Sequence, residues 1–135
     1  MPEITIADLV GNGTLSAGMA ALLWAAVDRR ASFLTVALPR LAGKSTTSQA
    51  VLAMRRPEVP LHHVAGEPHE MEELRRRKAG GYLVVEEFSR APMHGYIWGA
   101  PVKRVFDTLA AGYSLQTCLH ACLLYTSDAA DDLTR

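Results

Sequence analysis

Four consecutive residues, Gly43-Lys44-Ser45-Thr46, could together bind a phosphate group. Backbone N–H groups at the start of a helix point towards an anion placed there, and a lysine ammonium adds a full positive charge. A hydroxyl such as that of Ser45 can bind the Mg²⁺ ion that accompanies a nucleotide. The phosphate-binding pattern G-x-x-x-x-G-K-[ST] also requires a glycine at position 38, where this chain has Leu38. The stretch therefore meets the second half of the pattern and departs from the first.

The elements predicted on either side of this stretch favour the phosphate-site interpretation. "SFLTVA", residues 32–37, is β-branched and apolar, which is typical of a buried strand. "STTSQAVLAMRR", residues 45–56, is predicted to be a helix that ends before Pro57. A strand before the loop and a helix after it is the context that the phosphate-binding loop requires. The alternative is a solvated lysine at a helix N-terminus, where its charge is slightly unfavourable.

A second feature of interest is a pair of acids at the end of a strongly apolar segment. "YLVVEEF", residues 82–88, is predicted to be a strand of the kind buried in a parallel sheet, and it ends near Glu86-Glu87. Phosphoryl transfer to water needs a group at such a strand end to orient the water or the metal ion. Two solvated acids at a strand end are the competing interpretation.

The remaining segments alternate between strand-like and helical patterns. Ser16 is predicted to cap a helix over residues 17–30 whose apolar residues Met19, Leu22, Leu23 and Val27 face the core, and further segments continue the alternation. The predicted strands are 59–65 and 114–121, and the predicted helical stretches are 68–78 and 96–112. Strands that alternate with helices indicate an α/β fold with a mostly parallel sheet flanked by helices.

Composition sets broad limits on the protein. The chain has 135 residues, 49% hydrophobic and 21% charged, which fits one globular domain rather than a disordered chain. Its net charge of zero gives no reason to expect nucleic acid as a partner. Two cysteines, Cys118 and Cys122, are too few for a disulfide framework, and we expect a cytoplasmic protein.

The order of the motifs resembles that of the type II/type IV secretion and pilus assembly ATPases. The segments that carry the resemblance are "GTLS" before a helix, then "AGKSTT", "GE", "LVVEEF" and "AGYSLQTCLHA", over roughly residues 6–121. The resemblance implies a RecA-like P-loop NTPase core that binds ATP and Mg²⁺. It also implies a hexameric motor in the intact protein, working at a membrane-embedded secretion or pilus platform and therefore cytoplasmic or peripheral at the inner face of the membrane.

The resemblance assigns roles to individual residues. Gly43, Lys44, Ser45 and Thr46 match the P-loop that binds the nucleotide, and Ser45 would also contact the metal ion. The remaining matches are Glu67 to an acidic metal-binding box, Glu87 to the glutamate that positions the attacking water, and His120 to a γ-phosphate sensor in the "His box". The predicted catalytic residues are therefore Lys44, Glu87 and His120.

Several departures keep a second hypothesis open. Leu38, Glu86 and Tyr113 stand where the family pattern has two glycines and an acidic or polar residue. A degenerate, non-catalytic P-loop module that acts as a scaffold or subunit is therefore the alternative. A small-molecule kinase is a third possibility, but no acceptor site or lid is recognisable in the sequence.

The C-terminal residues resemble a translated sequencing adapter. "CLLYTSDAADD", residues 122–132, matches such a translation over eleven consecutive positions. We therefore expect residues 1–121 to be a C-terminally truncated P-loop ATPase domain and 122–135 to be a non-native tail. On this view the pattern Cys118-x-His120-x-Cys122 is not a zinc site.

Overall fold

The computed structural model describes residues 2–37 and 44–120, with the side chains of Lys44 and His120 left out of the description. Within these ranges five helices and six strands follow one another along the chain. The helices are α1 (Ile6–Gly11), α2 (Ala17–Asp28), α3 (Lys44–Leu52), α4 (Pro68–Arg77) and α5 (Ala100–Leu109). The strands are β1 (Phe33–Ala37), β2 (Leu61–His63), β3 (Tyr82–Val84), β4 (Glu87–Phe88), β5 (Tyr96–Ile97) and β6 (Ser114–His120).

Four of these strands form a parallel sheet in the order β1-β6-β3-β2. Phe33 to Ala37 of β1 pair in register with Gln116 to His120 of β6, and β3 pairs with both β6 and β2. The predicted strands 32–37 and 114–121 therefore pair with each other in this sheet, and the first part of the predicted strand 82–88 pairs with 114–121 in the same sheet. The α/β architecture with a parallel sheet flanked by helices is confirmed.

The sheet is covered on both faces, because successive side chains of a strand point to opposite sides. Tyr82 and Val84 pack with Val51 and Leu52 of α3, whereas Leu83 lies in the cluster on the other face. That second cluster contains buried residues of α4 and α5, namely Met71, Leu74 and Val105. Helices α1 to α3 therefore cover one face of the sheet, and helices α4 and α5 cover the other.

Helix α2 has the predicted N-terminus but a different buried side. The Ser16 hydroxyl accepts a hydrogen bond from the Met19 N–H at 3.1 Å, as its capping role requires. Val27 is 2% exposed and Leu23 is partly buried. The expectation that Met19 and Leu22 face the core was wrong, since they are 54% and 70% exposed. Only a narrow stripe of α2 side chains, which includes Leu23 and Val27, packs against α3 and the sheet.

Helix α1 was not predicted, because its glycine-rich end resembles a loop in sequence. Its start is fixed by Thr5 and Asp8. The Asp8 carboxylate accepts hydrogen bonds from both the backbone N–H and the hydroxyl of Thr5, at 2.8 Å each. These bonds hold the pKa of Asp8 below its usual value. Such a reciprocal cap can sustain a helix of 6 residues next to a packed neighbour.

The apolar segment 82–88 is divided between two sheets rather than forming one strand. β3 ends at Val84, and after a bend at Glu86 the chain enters β4, which pairs with β5 in a separate two-stranded sheet. β5 occupies Tyr96 and Ile97, which the sequence placed in a helical stretch. The division of residues 82–88 and the formation of β5 both depend on the pairing of β4 with β5, and the local sequence pattern gives no sign of that pairing.

Strand β1 is less buried than its sequence suggests. Leu34 and Val36 are 47% and 52% exposed, because β1 lies at the edge of the sheet among the described residues and only its α3 face is covered.

Within residues 2–37 and 44–120, no helix is both long and apolar enough to cross a membrane.

Gly81 is required where β3 enters the sheet beside Pro60. Its φ is +89°, and a Cβ atom added there would lie 2.2 Å from the Pro60 carbonyl oxygen, which accepts the Tyr82 N–H. We expect Gly81→Ala to lower the free energy of unfolding by at least about 1–2 kcal/mol, from backbone strain and displacement of β2. Urea denaturation followed by circular dichroism measures this loss.

Two other glycines separate the causes of that loss. Gly112 has a φ of +99° but open space around it, and Gly11 has open space and an ordinary φ. Gly112→Ala should show the backbone strain alone, about 1 kcal/mol, and Gly11→Ala should be neutral or slightly stabilising. Equal losses at positions 81 and 112 would contradict the proposed contact with Pro60.

Candidate functional site

The carboxyl ends of the parallel strands bring the predicted site segments to one edge of the sheet. Helix α3 begins at Lys44, shortly after β1 ends, and His120 is the last residue of β6, paired with Ala37. Glu87 begins β4, three positions after β3 ends. In open α/β sheets ligands bind outside this edge. Gly43 and Leu38 lie outside the described residues, as do the side chains of Lys44 and His120.

A cleft of about 620 Å³ runs along α3 from its first turn to its C-terminal end, beside strands β2, β3 and β6 and the N-terminal residues 2–4, and it reaches this edge of the sheet. We call it the α3 cleft. Its polar lining consists of Glu3, Ser45, Thr46, Ser48, Gln49, Arg55, His63, Glu86, Gln116 and Cys118. Ser45 is exposed and Thr46 is half-buried, so the hydroxyl-bearing first turn of α3 faces the cleft rather than the core.

Buried polar contacts attach α3 to the sheet below the cleft. Ser48, 2% exposed, shares a hydrogen bond of 2.7 Å with the Thr35 hydroxyl of β1. The Ser48 hydroxyl also lies 3.6 Å from the Cys118 thiol of β6, and the Gln116 amide nitrogen lies 3.9 Å from that sulfur. These contacts fix α3 relative to β1 and β6, and so fix the direction in which its N-terminus points.

A second cleft, of about 680 Å³, lies on the α4 side of the same edge. We call it the acidic cleft, since it is lined by Glu67, Glu70 and Glu86, together with His63, His94 and Trp98. Glu70 is already used by the fold. Its Oε1 atom accepts the backbone N–H groups of Ala65 and Gly66 at 3.0 and 2.9 Å, which closes the loop before α4.

The two residues predicted to contact a metal ion line different clefts. Ser45 lines the α3 cleft, whereas Glu67 is an exposed residue at the start of α4 that lines the acidic cleft. Glu86 lines both clefts. Ser45 therefore shares a cleft with Glu86 and not with Glu67.

Glu87 has a different environment from its neighbour. It is 9% exposed, lies in β4 opposite Tyr96, and is not among the residues lining either cleft. Glu86 is exposed, and its side chain lies against Gly95, where an added Cβ atom would come within 2.5 Å of the Glu86 Cγ atom.

The polar groups of the α3 cleft fit Mg²⁺ and phosphate in their chemistry. Ser45, Glu86 and Gln116 offer hydroxyl, carboxylate and amide oxygens, the ligand atoms that Mg²⁺ prefers. The first N–H groups of α3 have no carbonyl partner within the helix, so they are available to an anion. The donor set therefore suits a magnesium-bound phosphate ester, with no transition-metal ligand required.

Sequence reasoning missed Gln116 and Glu86 as lining residues. Gln116 is 3% exposed in the middle of β6, where the apolar pattern of the strand gave it no distinction. A glutamine within a strand-like segment was the available signal, since an amide is rarely buried without a reason. Glu86 was noted with Glu87 as one of two acids at a strand end, but the resemblance gave the catalytic role to Glu87 and left Glu86 as a departure from the family pattern.

The other candidates have structural roles. The His62 ring contacts Tyr113 at 5.6 Å between centroids and bonds to the Gly80 carbonyl oxygen, whereas His63 lines both clefts, so the two rings do not share a site. Cys118 is buried, Cys122 lies outside the described residues, and the described part of the chain holds no group of three or more residues suited to a metal.

Comparison with known proteins finds no protein-family profile that matches the chain and no curated protein that matches it. The assignment of a function therefore depends on the sequence motifs and on the geometry of the two clefts.

The Thr35–Ser48 contact can be tested by a double-mutant cycle. We expect Thr35→Ala and Ser48→Ala each to destabilise the fold, and the double variant to lose less than the sum of the two. The coupling free energy should be about 0.5–1.5 kcal/mol, the usual net value of such a hydrogen bond. Urea denaturation of the four proteins measures it. Strictly additive losses would show that this contact does not hold α3 to β1.

Proposed function

We propose that this chain is a P-loop nucleotide-binding domain that binds Mg-ATP at the start of α3. The observation that carries the proposal is the position of the Gly-Lys-Ser-Thr stretch, whose Ser45 and Thr46 line the α3 cleft at the carboxyl edge of a parallel sheet. A phosphate-binding loop requires this combination of preceding strand, following helix and open sheet edge.

Each described group in the cleft has a distinct contribution to binding. The N–H groups and the dipole of α3 would stabilise the phosphate charge, and the Ser45 hydroxyl would contact the metal ion. Mg²⁺, when bound, neutralises charge that develops on the phosphate oxygens during transfer. Lys44 carries the remaining positive charge, since it begins the same helix turn.

The proposed reaction is hydrolysis of ATP in a motor of the secretion or pilus type. The support for this finer assignment is the order of the sequence motifs, from "GTLS" to the His box. In that assignment Glu87 orients water, His120 senses the γ-phosphate, and Glu67 assists the metal ion. The intact protein would form a hexamer at a membrane-embedded platform and work at the cytoplasmic face of the membrane.

Leu38 favours the alternative of a module that binds nucleotide without turning it over. Glycine at this position allows the tight turn and the close approach of the backbone to phosphate. A leucine that keeps a positive φ costs about 1–2 kcal/mol. If the loop adopts another conformation instead, part of its N–H alignment is lost. We therefore expect weak binding of Mg-ATP and slow hydrolysis or none.

Binding is tested by titrating a fluorescent ATP analogue with Mg²⁺ present. Lys44→Ala should abolish the binding shown by the parent protein, because it removes the ammonium group that would contact the β- and γ-phosphates. Leu38→Gly should tighten binding by about tenfold, which corresponds to the relief of 1.4 kcal/mol of strain.

Lys78→Ala is the matched control, since Lys78 lies at the end of α4, by the opposite edge of the sheet. It should bind like the parent protein. Equal binding by Lys44→Ala and the parent would exclude Lys44 as a phosphate ligand. Release of inorganic phosphate by Leu38→Gly, measured alongside, separates an impaired ATPase from a non-catalytic module.

A further inference from the structure

Helix α2 exposes an apolar face to solvent. Its sequence is AGMAALLWAAVD, with one charged residue at its end, yet Val27 is its only fully buried residue. Met19, Leu22 and Trp24 are 54%, 70% and 60% exposed. A helix that is apolar all round is normally buried on more than one side. We call Met19, Leu22 and Trp24 the α2 face, and it has no partner within the described part of the chain.

Strand β1 lacks cover on one side of the sheet. Phe33 packs with the apolar cluster on the α3 side, and Thr35 bonds to Ser48 of α3 on that side. Leu34 and Val36 therefore point to the other side, where they remain 47% and 52% exposed. Helices α4 and α5 cover β3 there but, among the described residues, they leave β1 open. We call Leu34 and Val36 the β1 face.

The α2 face and the β1 face each lack what the other supplies. A sheet face in an α/β fold is normally covered by a helix, and an apolar helix face is normally packed on a sheet or another helix. Helix α2 lies on the α3 side of the sheet, so its outward face cannot reach the β1 face of the same chain. The two faces can meet between copies. The exposed small residues Gly18, Ala21 and Ala25 would let the backbone of α2 lie close to β1.

The size and charge of these surfaces determine the strength of such a contact. Each face is a patch of a few hundred Å², smaller than the area of about 800 Å² per partner in a stable interface. One contact alone is therefore weak. The net charge of the chain is zero, so copies do not strongly repel one another. In a closed ring each copy is held by two such contacts, which strengthens the assembly without any new surface.

We propose that the partner of these surfaces is a second copy of this chain, with the α2 face of one copy packed on the β1 face of the next. The contact is heterologous, because it joins two different surfaces, and it builds rings or open chains rather than a two-fold dimer. It does not rest on nucleotide binding, although a hexamer such as the one proposed above could be built from it.

The test measures self-association by sedimentation velocity over a range of protein concentrations. The mean mass of the parent should rise with concentration. Leu22→Glu and Val36→Glu should each raise the dissociation constant at least about tenfold, since each buries a charge in one half of an apolar contact. Met93→Glu is the matched control and should associate like the parent, because Met93 is 58% exposed and belongs to neither face.

An equimolar mixture of Leu22→Glu and Val36→Glu tests the head-to-tail geometry. Leu22→Glu keeps an intact β1 face and Val36→Glu keeps an intact α2 face, so the mixture should form a dimer with one copy of each and nothing larger. Formation of this dimer also shows that both variants fold. Met19→Glu and Leu34→Glu are a second pair with the same expected result, and circular dichroism identifies any variant that loses structure.

Other results would overturn the proposed contact. Self-association of Val36→Glu alone would mean that α2 pairs with α2 of another copy, and self-association of Leu22→Glu alone would mean that β1 pairs with β1. A parent that stays monomeric at every concentration also overturns the contact, including one that binds lipid vesicles through α2 instead. Nucleotide binding is measured separately, so a parent that associates as expected but binds no nucleotide overturns only the P-loop assignment.

Discussion

Burial of β3 on both faces is the constraint on which this fold depends. Tyr82 and Leu83 are each 0% exposed and Val85 is 1% exposed, so apolar layers must cover both sides of the strand. Helices α1 to α3 supply one layer, and α4 and α5 supply the other. The Tyr82 hydroxyl donates to the Ala31 carbonyl oxygen, and burial raises the pKa of this tyrosine. These contacts fix the position of β3, and Val84 at its carboxyl end lines both clefts.

The positions of the two clefts are determined by the helices that follow the strands at the carboxyl edge of the sheet. Helix α3, which follows β1 in the chain, lies on one face of the sheet, whereas α4 and α5, which follow β2 and β3, lie on the other. Divergent connections leave a crevice outside the strand ends, which is where open α/β sheets bind ligands. His63, Val84 and Glu86 line both the α3 cleft and the acidic cleft, so the two clefts adjoin at the ends of β2 and β3.

The parts of the fold set by local pattern could be predicted, and those set by distant pairing could not. The Ser16 cap, the start of α4 at Pro68 and the strand β6 follow from short-range chemistry and appear as expected. The division of residues 82–88 between two sheets does not, because β4 exists only through its pairing with β5. Likewise, the exposure of Leu34 and Val36 reflects the edge position of β1, which no local pattern records.

For the candidate site, the sequence alone determined which residue types could bind phosphate and metal, and in what order they occur. Gly43, Lys44 and Ser45 after a strand, and Glu86-Glu87 after another, are properties of the chain itself. Only the tertiary structure decided that Glu86 shares a cleft with Ser45, while Glu87 and Glu67 do not. The physical reason is that the chain bends at Glu86 between β3 and β4, which leaves Glu86 exposed and Glu87 buried in the pairing with β5, whereas Glu67 starts a helix on the other face of the sheet.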